Sequence, residues 1–244
     1  MSLSEEQLAE RLRMITGSDA GAIEGTSAYT SAYGCWAMKT GRVKDTFKGN
    51  NKTKLGTWLE GYAVQEYEAF SGRKCRMVHR TLRHKKYDFI GGHIDRLVEG
   101  DPNRGVECKA VTSDGMGKWL DEDDNLIVPP YYISQVKHYA LVTGRMTWDF
   151  AAVFTDGRRD PFFKTFEFTK DDVDLYLDRC LKFWEHVQTE TPPDVDGSDA
   201  TSTTLKQEWR DSDPGQVKVA DDSVMTYLTE RAGKKEMKEV YHAQ

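Results

Sequence analysis

The stretch GGHIDRLVEGDPNRGVECKA, Gly91 to Ala110, decides the fold. Both of its ends are β-rich, and the connector EGDPNR (99–104) gathers glycine, aspartate, proline and asparagine, each of which favours a turn. The spacing predicts strands over Tyr87 to Val98 and Gly105 to Val111, joined as an antiparallel hairpin. Such a hairpin sets Asp95 beside Glu107. Strand residues two apart share a face, so Glu107 and Lys109 point one way and the Cys108 side chain the other. Two carboxylates and an ammonium converge. Hard oxygen donors of this kind suit Mg2+ or Mn2+, which can turn water into a nucleophile toward phosphorus near a lysine. An Asp followed by Glu-x-Lys is by itself a weak pattern, and a surface ion pair is its other reading.

The flanking segments add to that centre. Upstream, Leu55, Leu59, Tyr62, Ala63 and Phe70 form a helical apolar stripe closed by Gly72. Glu60 lies on the flank of this helix with Gly56, Ala63, Val64 and Tyr67, where a solvated glutamate has no reason to sit, so it faces inward. Downstream, Pro129-Pro130 opens a helix over Tyr131 to Thr143, stopped by Gly144. Its Gln135 either steers Lys109 or a phosphate oxygen, or makes a plain helix-face hydrogen bond.

Further out, Lys74 to Arg83, Thr147 to Phe154 and Phe162 to Phe168 read as strands, and Asp114 to Asn125 as an exposed loop. Thr169 with Asp172 caps a helix carrying Val173, Leu177, Cys180, Leu181 and Trp184, which ends before Pro192-Pro193. Near the start, Ser4 with Gln7 opens a short helix through Leu8, Leu12 and Ile15; Ser18 to Ile23 and Tyr33 to Lys39 follow as a helical cap. The order of elements predicts an α/β domain over 1–193 with a mixed central β-sheet flanked by helices. A tail over 194–244 offers short helices at Leu205 to Trp209 and Ser223 to Tyr241, packed on the core or at a subunit interface.

With 244 residues and 38% hydrophobic content, the chain can bury one core but not two large ones. No apolar run approaches the roughly 20 residues that span a bilayer. The N-terminus is acidic rather than basic-then-apolar, so a cytoplasmic location is expected. Cys35, Cys75, Cys108 and Cys180 lie too far apart to suggest a zinc or iron–sulfur cluster. A net charge of −6 opposes general nucleic-acid binding. The charge is segregated, however: Arg73 to Lys86 is basic, while Asp171 to Asp178, Asp194 to Asp199 and Asp211 to Asp222 are acidic. The basic run is either a DNA-guiding patch or a solvated strand edge. Trp36, in the cap, and Trp119, in the polar loop, are candidates for stacking on bases.

In order along the chain, RLRMITGSDA, LGTWLEGYAVQEYEAFSG, GGHID, VECKA and YYISQVKHYALVTG resemble the YqaJ-type phage recombination exonucleases. These are related to lambda exonuclease within the PD-(D/E)XK superfamily, and the resemblance covers roughly Glu10 to Val142. It implies a restriction-endonuclease-like core and a metal-dependent 5′-to-3′ exonuclease acting on ends of linear double-stranded DNA. The 3′ overhangs would serve a phage single-strand annealing protein, and the assembly would be a ring-shaped trimer. An endonuclease of the same superfamily, or a DNA-end binding module without catalysis, is the alternative.

By that resemblance Glu60, Asp95, Glu107 and the Cys108 carbonyl would hold metal, two Mg2+ ions with Mn2+ as a substitute. Lys109 would activate or orient water, and Gln135 would assist. Arg11 and Ser18 would grip the 5′-phosphate. Ile94 stands where the superfamily name has proline. His93 replaces a phosphate-binding serine of lambda exonuclease, so it either meets DNA or is a buried or solvated histidine. The pattern implies a protein of phage or prophage origin working inside a bacterial host.

Overall fold

The computed structural model describes residues 5–44 and 51–209, so the Ser4 cap, the acidic run from Asp211 and the helix over Ser223 to Tyr241 lie outside them. Three short helices open the fold: α1 (Glu5–Leu12), α2 (Gly17–Ile23) and α3 (Ala32–Lys39). A long α4 (Asn51–Ser71) follows, then β1 (Cys75–Met77), β2 (Leu82–Arg83), β3 (Gly91–Gly92), β4 (Arg96–Val98) and β5 (Arg104–Val111). After a 3-10 helix (Ser113–Trp119) come α5 (Pro130–Thr143), β6 (Thr147–Phe154), β7 (Phe162–Glu167), α6 (Lys170–Gln188) and α7 (Asp199–Glu208). None of the described helices is long and apolar enough to cross a membrane.

The main sheet has the order β1-β4-β5-β6-β7, and β2 pairs with β3 apart from it. It is mixed: β5 and β6 run parallel, and the other pairs are antiparallel. The parallel pair is covered on both faces, which is why TWDFAAVF reads as a nearly continuous apolar run. On one face Ala63 and Tyr67 of α4 pack with Val106, Cys108, Ala151 and Val153. The other face joins Phe150 and Ala152 to α2, α3, α5 and α6 through Ala20, Trp36, Val136 and Tyr176.

Asp149 is a charge inside this core. Its carboxylate accepts from Arg104 Nη1 at 2.8 and 2.9 Å, from Thr165 Oγ1 at 2.6 Å and from the Tyr67 hydroxyl. A buried carboxylate is tolerated when paired and fully hydrogen-bonded, and this one ties α4 to β5, β6 and β7.

Several sequence expectations are corrected. The Lys74 to Arg83 strand splits into β1 and β2 on different sheets, and Tyr87 to Val98 keeps only β3 and β4 as strand. The α4 stripe is buried only in part: Ala63 and, partly, Leu59 pack inward, whereas Leu55, Tyr62 and Phe70 are exposed and Tyr67 completes the buried face. The loop over Asp114 to Asn125 folds into the 3-10 helix and a Leu120–Leu126 bridge, which turns Trp119 inward against Tyr132 and Phe150. Trp119 is 3% exposed and Trp36 1%, with the Trp36 indole donating to the His186 carbonyl at 3.0 Å. Neither face is open to a base. In the acidic tail, Asp196 accepts from Ser198 N and Thr201 Oγ1, so α7 begins at Asp199 rather than Leu205 and packs on α3 through Thr201 and Ser31.

His138 of α5 is fully buried between sheet and helix. Its Nε2 lies 2.9 Å from the Gly91 carbonyl, which can only accept, so Nε2 carries the proton and Nδ1 accepts from the Tyr176 hydroxyl at 3.0 Å. Burial lowers its pKa to about 4, well below the 6.5 of a free imidazole. The unfolded chain therefore takes up a proton that the folded one refuses. His138's contribution to stability is fully present above pH 6.5 and is lost as pH falls toward 4, by about 3 kcal/mol over that window. Urea titrations between pH 7 and 4 should show a flatter decline in His138→Gln than in the parent; parallel declines would assign the acid sensitivity elsewhere.

Candidate active site

The β4–β5 ladder pairs Leu97 with Gly105 and Arg96 with Val106, then stops. Asp95 leaves the ladder at that point, and its Oδ2 accepts the Cys108 backbone N–H at 3.1 Å. The side chain thus replaces the strand bond that β4 no longer supplies, and the carboxylate is held in the opening of the hairpin. Glu107 and Lys109 project from β5 on the face opposite Val106 and Cys108, as strand alternation requires.

Glu107 is 0% exposed. Its Oε1 accepts from Lys109 Nζ and from Gln135 Nε2, the latter at 2.8 Å. Its Oε2 is buried with no hydrogen-bond partner. Burial, reinforced by the Asp95 carboxylate, pushes the Glu107 carboxyl up to about 8 against the pull of Lys109. Lys109 runs the other way: burial disfavours its charge, yet Glu107 and Asp95 hold its pKa well above the ordinary lysine value. Its ammonium also stands 5.2 Å from the centre of the Tyr132 ring.

Glu60 lies half-buried on α4, and its carboxyl is raised by burial and by Asp95 while Lys109 opposes the rise. It belongs to the same electrostatic cluster. Among the described residues no three His, Cys, Asp or Glu side chains stand at mutual ligand spacing. The donor chemistry nevertheless fits a hard divalent cation: oxygen donors, a buried Glu107 carboxyl whose ionisation the nearby Asp95 carboxylate disfavours, and one buried oxygen of Glu107 left unbonded.

Gln135 spends both amide protons at once, one on Glu107 and one on the Tyr139 hydroxyl at 2.6 Å. Its bond is to the acid and its own helix, not to Lys109. Tyr139 was not among the residues singled out from sequence, although a tyrosine four positions after Gln135 necessarily shares its helix face. The Tyr139 ring packs on Gly17, where a Cβ would stand 2.6 Å from Cε1, so only glycine lets α2 close on α5.

The N-terminal pair predicted to grip an anion does meet. Arg11 Nη2 donates to Ser18 Oγ at 2.8 Å. The connector between α1 and α2 is stitched to the segment before the hairpin by Ile15 N to Phe89 O and Gly91 N to Ile15 O, at 2.6 and 2.9 Å. His93 Nε2 lies 3.3 Å from Thr81 Oγ1, which itself donates to Glu10 at 3.0 Å, so the histidine is the donor of that pair. Arg83 binds the same Glu10 at 2.8 Å. The basic run is mostly exposed, with Arg73, Arg76, Arg80, Lys85 and Lys86 facing solvent.

Several known proteins are similar to this chain. A relative in Bacillus subtilis (strain 168), "Uncharacterized protein YqaJ", is 32% identical over 213 residues, 86% of this chain and 64% of that protein; the chain thus spans just under two thirds of its relative. The fold is shared with the alkaline exonuclease LHK-Exo from Laribacter hongkongensis: TM-score 0.63 and 21% identity, covering 77% of this chain and 94% of that one. A phage related exonuclease from Haemophilus somnus 129PT is more distant, with TM-score 0.51 and 13% identity over 72% and 96% of the two chains. Residues 6–146, which include the cap, α4, the hairpin and α5, match the YqaJ-like viral recombinase domain, and the chain belongs to that family.

Proposed function

We propose that this chain is a divalent-metal-dependent exonuclease that digests one strand of linear duplex DNA from its 5′ end, leaving 3′ overhangs for a single-strand annealing protein. The observation that carries the reading is the convergence of Asp95, Glu107 and Lys109 where the hairpin opens, with Glu107 Oε2 buried and unbonded. Asp95 and Glu107, with Glu60 and the Cys108 carbonyl, would hold Mg2+ or Mn2+, two ions in the full site. When bound, such an ion lowers the proton affinity of water and offsets phosphate charge. Lys109, whose ammonium is favoured by Glu107 and Asp95, would activate or orient the attacking water and stabilise negative charge. Gln135 fixes Glu107, and Tyr139 fixes Gln135.

Arg11, beside Ser18, would supply a planar fork for the 5′-phosphate, with His93, whose Nε2 meets Thr81, as a further candidate contact. A closed trimeric ring would let a chain of net charge −6 retain DNA topologically rather than by charge. The family's recombinase character and the exonuclease fold support the substrate.

The deciding experiment offers end-labelled linear duplex and closed circular DNA with Mg2+ and with excess chelator. Loss of 5′-terminal nucleotides from the linear DNA alone, and only with metal, is expected. Cleavage of circles, digestion from the 3′ end or activity in chelator would each sink the reading.

Lys109→Ala should cut the rate by at least about a hundredfold with the fold intact by circular dichroism. Tyr139→Phe, which keeps the ring against Gly17, should cost roughly threefold to tenfold, and nothing further in a Gln135→Ala background. Additive losses would mean that Tyr139 acts independently of Gln135.

A charge-assisted contact is worth about 1.5–3 kcal/mol, so Arg11→Ala should slow digestion of 5′-phosphorylated ends roughly ten- to a hundredfold and barely affect 5′-hydroxyl ends. Equal slowing of both would assign Arg11 to stability.

A further inference from the structure

Lys39, at the end of α3, has a side chain only 4% exposed. Its three ammonium protons meet three acceptors: the Arg11 carbonyl at 3.0 Å, the Met14 carbonyl at 2.7 Å and Asp19 Oδ2 at 2.9 Å. Nothing in the proposed chemistry uses this ammonium, and a buried charge needs a reason. Its neighbours supply one.

Asp19 is ionised: although burial pushes its pKa up, Lys39 and the Thr16 backbone N–H hold it below the ordinary carboxylate value. An ionised carboxylate only accepts. The Thr16 hydroxyl, 2.9 Å from Asp19 Oδ2, therefore gives its proton to it. Thr16 has no second hydroxyl proton, so its 2.9 Å contact with Ser18 Oγ is donated by Ser18. Ser18 has then spent its own proton and meets Arg11 Nη2, at 2.8 Å, purely as an acceptor. Every hydrogen bond from Lys39 to the Arg11 guanidinium has one permitted direction. The same ammonium grips the Arg11 carbonyl, so Arg11 is held at both its backbone and its tip.

We propose that Lys39 is a positioning residue of the 5′-end site: the buried Lys39–Asp19 pair, acting through Thr16 and Ser18, sets how the Arg11 guanidinium is presented and so governs discrimination between 5′-phosphoryl and 5′-hydroxyl DNA ends. The inference rests on the reading of Arg11 given above. It makes Ser18 the acceptor that holds Arg11, not a second donor to the phosphate.

The test uses the full chain and two blunt duplexes identical except for a 5′-phosphoryl or 5′-hydroxyl end. Binding is followed by fluorescence anisotropy without divalent ion, and digestion rates are measured with it. Lys39→Met keeps the apolar stem and removes the ammonium; Thr16→Val leaves the ion pair and cuts the chain one link later. Both should lower the phosphoryl-to-hydroxyl preference by roughly fivefold or more. Where Lys39→Met melts below the assay temperature, Thr16→Val decides. Equal losses on both ends would show a merely structural role and overturn the inference. A preference abolished by Arg11→Ala but untouched by Lys39→Met and Thr16→Val overturns it alone, whereas a parent protein indifferent to the two ends overturns the Arg11 reading and this inference together.

Discussion

The site depends on a strand pair that stops early. β4 follows β5 only through Arg96 and Val106, and the Cys108 N–H beyond that point would be left without a strand partner. Asp95 fills the gap with its own carboxylate. One hydrogen bond therefore does two things: it satisfies buried backbone, and it fixes an acid in the mouth of the hairpin beside Glu107. The central sheet makes this possible, because β5 is anchored on its far side to β6 along its whole length, Arg104 to Val111. The strand that carries Glu107 and Lys109 does not need its second neighbour along its whole length.

Around that opening, contacts run in series rather than in parallel. Gly17 admits the Tyr139 ring, Tyr139 receives Gln135, and Gln135 holds Glu107. The cap is thereby in mechanical register with the acid on β5, while Ile15 bonds to Phe89 and Gly91 just ahead of Asp95. The element proposed to handle a DNA end and the element proposed to handle the scissile phosphate are joined through packed, hydrogen-bonded side chains. That rigidity suits a site whose polar groups must be placed before substrate arrives.

The hairpin was legible because its signals are local: a turn of Gly, Asp, Pro and Asn between two β-rich runs, with Glu107 and Lys109 two residues apart. The caps at Thr169 and Gly144 were legible for the same reason. What failed was long-range. Of the stripe on α4, Leu59 and Ala63 meet the sheet, but Leu55, Tyr62 and Phe70 stay exposed and Tyr67 completes the buried face, because which side of a helix faces a sheet is set by the sheet. Trp119 sits in a polar stretch whose composition gives no hint that Leu120 bridges Leu126 and folds it inward. Lys39 and Asp19 were invisible for a deeper reason. Nothing in their sequence spacing tells that one ammonium will collect a carbonyl from the last turn of α1, another from the connector after it and a carboxylate from α2.

Glu107 shows where the fold has given up stability. A carboxyl with 0% exposure, beside another carboxylate, could be replaced by an apolar side chain at less electrostatic cost. Instead the chain surrounds Oε1 with Lys109 and Gln135 and leaves Oε2 with nothing. Contrast Asp149, equally deep in the sheet, whose oxygens are fully engaged by Arg104, Thr165 and Tyr67. Two buried acids on adjacent strands thus receive opposite treatment. The satisfied one ties elements together, and the unsatisfied one retains an oxygen whose bonding capacity is unused within the protein. A fold that can complete the first could have completed the second, which makes the open valence of Glu107 a property of the site rather than a defect of packing.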